Sequence, residues 1–449
     1  MDNEKLMREM PVRKLFLKLC IPSIIIMMVI VLYNMTDLYF IGQTGDSTQI
    51  AAISLAGPIF SILQGIGTLF GAGGCTAMAI ALGKGDHAKI KSVTSFCFYA
   101  TIGIGLVMSA AGLFCGKGIA SLLGADMVTT QHTITYASIL LLGAPFVLIA
   151  NVFTNIIRAD GSIKRSMAAN GLGTIVNVLL DPLLILTFDM GVAGAAIATV
   201  IGNVVSVLYL MFFAVKKQPN ISVKIRDFTL KKKVSLNVIR LGLPQSISVL
   251  LMSFSTMYAN NLFMKYGNVA VSANGISSKV GMFIVMIAMG ICAGVQPAIS
   301  YNFGAGNYQR LYDIIKKTGL LTVVVGTVLT AICFFVKDKL VGIFTPDVTV
   351  LAYAQKMVVA SFAVGPVYGL YQLNTVFLQG TGKASYAVIL AVLRQGVLFV
   401  PILFLTDFLI GLDGLIYASA ITEIVAICIG TFLSLRWKRT MDAAQVLAQ

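Results

Sequence analysis

Five charged residues interrupt the long apolar runs of this chain. Asp37, Asp181 and Glu423 are acids, and Lys279 and Arg394 are bases. A charge at the centre of a membrane-spanning helix costs about 2.5–3.5 kcal/mol or more, so such a residue marks an ion or substrate pathway by default. If the apolar runs cross a membrane, these five side chains are the first candidates for function.

Asp181 lies in the sequence NVLLDP, four residues after Asn177, so both side chains share one face of a helix. Thr199 lies in the next apolar run. A carboxyl group shielded from water holds its proton more tightly and can release it when its surroundings become wet. Carboxylate, amide and hydroxyl oxygens are also suitable ligands for a hard cation such as Na⁺. We predict that Asp37 and Asp181 belong to a coupling site for H⁺ or Na⁺. The alternative is that both are neutral and hydrogen-bond neighbouring helices.

Glu423 and Arg394 lie in neighbouring apolar runs. An ion pair between them is the simpler interpretation, and contact with a substrate is the alternative. Lys279 lies near the outer end of its run, where a long side chain can extend to the polar surface. We expect a charge network of Lys279, Arg394 and Glu423.

Motifs for other chemistries are missing from the sequence. It contains no GxxxxGK[ST], GxSxG or HExxH pattern, so we expect neither an ATP-driven pump nor an enzyme. The seven cysteines form no CxxC pair, which argues against a zinc site or a disulfide framework. His87 and His132, the two histidines, lie in loops or at a span edge and are expected to be solvated. We predict no cofactor and no firm metal site, with Na⁺ possible only at the coupling site.

The composition fits a membrane protein. The chain has 449 residues, of which 57% are hydrophobic and 11% charged. In a soluble domain about 45–50% of the residues are apolar and about 25% are charged. A water-soluble enzyme and a disordered chain are both excluded. The net charge of +15 is interpreted as loop charge bias and not as nucleic-acid binding. We predict an all-α protein of the cell membrane, with the lipid bilayer as its surroundings.

Twelve apolar runs are long enough to cross a bilayer, since one helical crossing needs about 20 residues. Their predicted bounds are 15–41, 50–82, 92–115, 133–157, 166–188, 192–215, 236–264, 270–303, 313–336, 350–378, 384–406 and 412–435. Of the 33 Lys and Arg residues, 26 lie at the termini or in the even-numbered loops and 5 in the odd-numbered loops and their flanks. This asymmetry predicts that both termini are cytoplasmic.

The two halves of the chain repeat at an offset near 221 residues. The matched positions include Pro22 with Pro244, Gly73 with Gly294, Gly83-Lys84-Gly85-Asp86 with Gly304-Ala305-Gly306-Asn307, Asp126 with Asp347, Pro145 with Pro366, and Gly161 with Gly382. Six spans per half make the repeat parallel, with a pseudo-two-fold axis along the membrane normal. We predict two pseudo-symmetric six-helix bundles, an N-lobe over 1–215 and a C-lobe over 236–449, joined by a cytoplasmic linker over 216–235. Such lobes suit transport by alternating access.

Taken together, these features resemble the multidrug and toxic compound extrusion (MATE) family, most of all its bacterial MepA-like branch. The resemblance covers nearly the whole chain. It rests on the two six-span halves, on Pro22 and Pro244, on the loop RADGSIKRS with its counterpart LQGTGKAS, and on NVLLDP. It implies two lobes around a cleft that opens alternately to either side, and export of organic cations in exchange for H⁺ or Na⁺.

The resemblance also implies roles for individual residues. The residues that resemble the family's N-lobe cation site are Asp37, Asn177, Asp181 and Thr199. Those that resemble its substrate-lining positions are Tyr33, Tyr136, Asn151 and Asn155. The acids that the NorM-like branch carries in its seventh and tenth spans are replaced here by amides such as Asn260 and Gln372. Coupling is therefore expected in the N-lobe.

We accordingly predict a monomeric secondary multidrug antiporter for amphipathic organic cations. A lipid-linked-precursor flippase of the same superfamily is the alternative, and it would need a strongly cationic central cavity. An intramembrane enzyme or a scaffold is a further alternative, for which no catalytic constellation is present in the sequence.

Overall fold

A computed structural model gives the fold of the chain. It describes residues 7–44, 46–123, 125–218, 220–342 and 347–446, and the side chains of twelve residues in these ranges, Tyr33 and Asp37 among them, lie outside the description. The described residues form helices, turns and loops, without a β-strand. The predicted all-α class is thereby confirmed.

The long helices follow the predicted runs closely. Span 1 is Val12–Gly42, span 2 Ser47–Gly83, span 3 His87–Phe114, span 4 Thr130–Leu142 with Ala144–Ala159, span 5 Ile163–Asp181 with a π-helical turn Pro182–Thr187, span 6 Gly191–Lys217, span 7 Lys232–Met264, span 8 Asn268–Gly304, span 9 Tyr308–Phe335, span 10 Val348–Ala363 with Gly365–Gly380, span 11 Ala384–Val392 with a π-helical turn Leu393–Leu398 and Phe399–Ile410, and span 12 Leu412–Val446. Short helices, Gly116–Leu122 and Lys337–Gly342, precede the bent spans 4 and 10.

Within the described ranges, ten helices are long and apolar enough to cross a membrane, or up to twelve if each bent pair counts as one span. The two bends are 52° in span 4 and 51° in span 10. Pro145 and Pro366 lie at the start of the second helix of each pair. Proline lacks the N–H that a continuous helix requires, so it accounts for the same bend at equivalent places in both halves.

Other repeated residues form turns and helix caps. Gly85 and Gly306 adopt positive φ angles of 70° and 71°, a conformation that costs glycine little. The next residue caps the following helix in each half. Asp86 accepts a hydrogen bond from Lys89 N, and Asn307 accepts one from Arg310 N, at 3.0 and 3.1 Å. The sequence repeat therefore corresponds to a repeat of local structure.

The chain forms two compact units. The first unit comprises Met1–Met10, Ile25–Ser246 and Ser300–Gly306, and the second comprises Pro11–Ile24, Ile247–Ile299 and Asn307–Gln449. The start of span 1 thus belongs to the second unit, and the start of span 7 belongs to the first. The lobe boundaries at 215 and 236 follow the sequence repeat and stay a prediction.

The linker after span 6 lies along span 3, inside the first unit. Ser222 N donates to Thr94 Oγ1 at 3.0 Å, and Thr94 Oγ1 lies 3.2 Å from Ser222 O. Tyr99 Oη donates to Val223 O at 3.0 Å. The Tyr99 ring also packs edge-on against Phe228, with 5.3 Å between centroids. These contacts fix the backbone of the linker to a membrane helix.

Candidate cation and substrate sites

Asp181 lies at the point where span 5 changes its helical geometry. It is the last residue of Ile163–Asp181, and Pro182 opens the π-helical turn that follows. Irregular turns of this kind are frequent at functional sites. The Asp181 side chain is fully buried, and Asn177 Nδ2 lies 3.4 Å from its Oδ1. The structure therefore brings together the carboxyl and the amide that the spacing predicted.

A cavity of about 150 Å³ opens beside this pair within the first unit. Asn177 and Thr199 line it, together with other polar side chains: Gln64, Asn151, Asn170, Thr174, Asn203 and Ser206. Asp181 does not line the cavity itself and reaches it through its contact with Asn177. Asn177 Oδ1 is buried and accepts no hydrogen bond from the described residues. An acceptor without a donor suits a site that takes up a proton or a small cation.

The predicted substrate residues of span 4 pack against glycines of span 2. Asn151 Nδ2 donates to Gln64 Oε1 at 2.7 Å, and Asn155 Nδ2 donates to Asn151 O at 2.8 Å. A Cβ atom at Gly67 would lie 3.0 Å from Asn151 Cγ, and one at Gly71 would lie 2.9 Å from Asn155 Nδ2. The glycines therefore provide the space that these amides occupy. Asn151 lines the cavity, whereas Asn155 accepts a hydrogen bond from the buried Arg158.

The remaining predicted residues of the first unit have different surroundings. Tyr136 is half-buried and packs against two apolar clusters, outside the lining of the cavity. The side chains of Tyr33 and Asp37 lie outside the described part of the structure. Gln64 was not predicted from the sequence. A single amide within an apolar run, three residues before Gly67, is the signal that could have found it.

In the second unit, Arg394 and Glu423 form the ion pair that the sequence suggested. Arg394 Nε donates to Glu423 Oε1 at 2.7 Å, and Arg394 Nη2 donates to the same oxygen. Arg394 Nη2 also donates to Tyr368 Oη at 3.3 Å, and the guanidinium carbon lies 4.5 Å from the centroid of the Tyr371 ring. Arg394 itself lies in the π-helical turn of span 11. The two tyrosines were not predicted, because nothing in their own sequence marks them as partners of an arginine.

The ion pair lines a second, larger cavity of about 440 Å³. Methionines and phenylalanines form much of its wall: Met252, Met282, Met286, Met357, Phe263, Phe362 and Phe399. Lys279 is exposed and is not part of this lining. The structure therefore joins two members of the predicted charge network at a cavity, and the role of all three stays a prediction.

The two histidines lie at helix ends. His87 Nδ1 is 3.1 Å from Asn220 Oδ1, and His132 Nε2 is 4.0 Å from Asp46 Oδ2, with both partners of the second pair more than a third exposed. The Thr48 hydroxyl and backbone N–H donate to Asp46, which lowers the pKa of that carboxyl. In the part of the chain that the structure covers, no three His, Cys, Asp or Glu side chains are grouped as metal ligands would be.

Comparison with known proteins decides the family. The MatE family model matches residues 22–183 and 244–405, once in each half. The chain belongs to the MATE family. Both matches start at the repeated prolines Pro22 and Pro244, as the internal repeat requires.

Similar MATE proteins cover the whole chain. The multidrug export protein MepA of Staphylococcus aureus is 34% identical over 439 residues, covering 97% of either chain. MepA of Staphylococcus saprophyticus is 34% identical over 429 residues, covering 95% of either chain. The crystal structure of a MATE protein in complex with MaL6 covers 99% of this chain and 100% of its own, with a TM-score of 0.93 and 23% identity. An outward-facing multidrug resistance MATE transporter covers 97% of this chain and 98% of its own, with a TM-score of 0.91 and 23% identity.

These similarities confirm the predicted family and the two-half helical fold, and they make this MATE protein a membrane transporter and not an enzyme.

Proposed function

We propose that this MATE protein is a secondary antiporter, which exports amphipathic organic cations while H⁺, or Na⁺, enters the cell. The observation that carries this proposal is the buried Asp181 carboxyl, in contact with Asn177 beside a polar cavity of about 150 Å³. The staphylococcal relatives named as multidrug export proteins support the direction and breadth of transport. No cofactor enters this mechanism.

The buried carboxyl couples ion entry to export through its change of charge. The Asp181 carboxyl is fully buried, and Asn177 Nδ2 lies 3.4 Å from its Oδ1. An ionised carboxyl is costly to bury in a low-dielectric interior, and protonation or a bound Na⁺ lowers that cost. The ion therefore favours the state in which the carboxyl is enclosed, and its release favours the state in which the carboxyl reaches water. A difference in affinity between two states is what a coupled transporter needs.

Charge balance limits the energy available for export. One elementary charge moving through 100 mV gains about 2.3 kcal/mol. Exchange of one monovalent cation for one H⁺ moves no net charge, so only the pH gradient drives it. With Asp37 as a second acid, entry of two protons would add the membrane potential.

The cavity beside Asn177 is smaller than the roughly 300–1,000 Å³ that ligand pockets usually enclose. We infer that the described state holds the ion site in a contracted form, and that the cavity widens when the substrate meets Asn151 and Asn155. The two lobes, 1–215 and 236–449, would then alternate in access, with both termini in the cytoplasm and one chain as the functional unit.

Efflux of ethidium from loaded cells tests the coupling role. Asp181→Asn keeps the shape of the side chain but cannot be ionised, so we expect efflux to fall to the background of cells without the transporter. Asp313→Asn is the control, because Asp313 is an exposed acid that pairs with Lys317 at 2.8 Å. Wild-type efflux by Asp181→Asn at normal expression would refute the coupling role.

Proteoliposomes separate the two candidate ions. A proton needs only a carboxylate, whereas Na⁺ needs several oxygen ligands, of which the Thr199 hydroxyl would be one. If Na⁺ is the coupling ion, Thr199→Val abolishes dye uptake driven by a pure Na⁺ gradient. If H⁺ is the coupling ion, a pure pH gradient drives dye uptake in both the wild-type protein and Thr199→Val.

A further inference from the structure

The cavity in the second unit has the size and wall of a ligand site. Its volume of about 440 Å³ lies in the range usual for sites of small molecules. Met282 and Met286 face it from span 8, and Met252 and Met357 from spans 7 and 10. Methionine side chains are flexible and polarisable, so such a wall can adapt to apolar bodies of different shape.

The donors of Arg394 determine which polar group this cavity can receive. A guanidinium carries five N–H groups in a planar fork. Nε–H and one N–H of Nη2 are donated to Glu423 Oε1, and Nη2 also donates to Tyr368 Oη. No hydrogen bond joins the two N–H groups of Nη1 to any residue that the structure describes, although the Arg394 side chain is only 14% exposed and lines the cavity. Two donors of a nearly buried cation are therefore left for a ligand.

Glu423 sets the charge of that ligand. It neutralises Arg394, so the cavity has no net charge, and an ion entering it alone would lose its hydration without compensation. Glu423 Oε2 is covered by protein and accepts no hydrogen bond within the described ranges. The polar group of the ion pair that a ligand can reach is therefore Arg394 Nη1, a hydrogen-bond donor. It favours a ligand that presents an oxygen acceptor.

We propose that this cavity binds amphipathic molecules without net charge that present a carboxylate or carbonyl oxygen to Arg394 Nη1. Zwitterions with an aromatic body are the best-suited class. The site is separate from the polar cavity of the first unit, and it extends the range of ligands beyond the organic cations of the proposed function. Its ligand class depends on the ion pair and not on Asp181.

Two fluorescent probes test this assignment. Nε-dansyl-lysine is a zwitterion with a free carboxylate, and dansylcadaverine has the same aromatic body and ammonium group without the carboxylate. Both are titrated into the purified full-length protein, and the dansyl fluorescence reports binding. We expect Nε-dansyl-lysine to bind at the second-unit cavity, and dansylcadaverine to bind without any contribution from Arg394.

A glycine in the wall allows the cavity to be filled without disturbing the fold. A Cβ atom at Gly281 would have Ser361 Cβ, at 3.9 Å, as its nearest neighbour, and Gly281 lines the cavity. Gly281→Leu should therefore abolish binding of Nε-dansyl-lysine. Gly275→Leu is the matched control on the same helix, because Gly275 has no atom within 4 Å of such a Cβ and does not line the cavity.

The double variant R394Q/E423Q tests the donor. It removes the guanidinium and keeps the net charge of the cavity, whereas Arg394→Gln alone would leave Glu423 buried without a partner. Loss of a charge-assisted hydrogen bond should weaken Nε-dansyl-lysine binding by about tenfold or more. Dansylcadaverine affinity should stay within about twofold of wild type, since this probe makes no such bond.

Wild-type affinity of R394Q/E423Q for Nε-dansyl-lysine, or continued binding by Gly281→Leu, would overturn the proposal. An equal loss for both probes in R394Q/E423Q would overturn it too, because the carboxylate would then have no role. These results do not depend on transport. Asp181→Asn is expected to bind Nε-dansyl-lysine normally, so a failure of the antiport mechanism can be told apart from a failure of this site.

Discussion

Gly67 in span 2 controls the position of a predicted substrate residue. In Gly67→Ala the new Cβ would lie 3.0 Å from Asn151 Cγ and 3.1 Å from Asn151 Cβ, where ordinary contacts are 3.4–4 Å. Asn151 Cβ is fixed by its own backbone, so the relief must come from rotation of the amide or from separation of the two helices. Either movement breaks the 2.7 Å hydrogen bond between Asn151 Nδ2 and Gln64 Oε1.

The cost follows from that broken bond. A buried polar group that loses its partner costs about 1–3 kcal/mol, which corresponds to roughly 5- to 150-fold in an equilibrium constant. If Asn151 contacts substrate in the cavity wall, the rate of ethidium efflux from loaded cells should fall by about 30-fold, which corresponds to the middle of this range. The amount of protein in the membrane, measured by immunoblot, should not change.

Gly57→Ala is the matched control for Gly67→Ala. Gly57 lies on the same helix, and a Cβ there would have no atom within 4 Å, so efflux should equal that of the wild type. If Gly67→Ala exports ethidium at the wild-type rate and expresses normally, the position of Asn151 does not matter for transport. The assignment of Asn151 to the substrate path would then be wrong.

Two further substitutions test packing within the first unit. Gly83→Ala would place a Cβ onto the carbonyl oxygen of Tyr301, a backbone atom that cannot rotate away. We expect the free energy of unfolding to fall by about 1–3 kcal/mol. The midpoint of thermal unfolding should be lower than for Gly103→Ala, because a Cβ at Gly103 would have no atom within 4 Å. Thr94→Val removes the hydroxyl that fixes the linker, so trypsin should cut the linker several-fold faster than in Thr135→Val, whose hydroxyl donates only within its own helix. Equal midpoints or equal cleavage rates would contradict these two expectations.

The sequence repeat predicted the fold because most of its matched residues have local effects. Gly85 and Gly306 form left-handed turns, and Asp347 caps span 10 by accepting from Thr349 N at 2.8 Å. Pro145 and Pro366 stand at bends of nearly equal angle. Each of these residues acts on the few residues around it, so its pattern can be interpreted without knowledge of the tertiary structure.

The sites depend on contacts between distant parts of the chain, and these could be predicted only in part. The pair Asn177 and Asp181 shares one helix, so its spacing was informative. The contact of Gly67 with Asn151 joins residues of different spans, and single-sequence reasoning had no means of finding it. The same holds for the tyrosines that surround Arg394.

The extent of the two units was also not evident from the sequence. A division at the charged linker is the natural expectation, whereas spans 1 and 7 each contribute their first residues to the other unit. The apolar pattern of a sequence predicts that a helix crosses the membrane, but it does not indicate which bundle that helix packs against.

The linker begins and ends within a single unit, since span 7 enters the second unit only at Ile247. The chain passes between the units inside spans 1, 7 and 8 and in the short segments at 10–11 and 306–307, and not at the linker. A protease cut in this segment would sever the chain without releasing either unit. Two separately translated fragments, divided at the linker, should accordingly assemble into one particle on gel filtration.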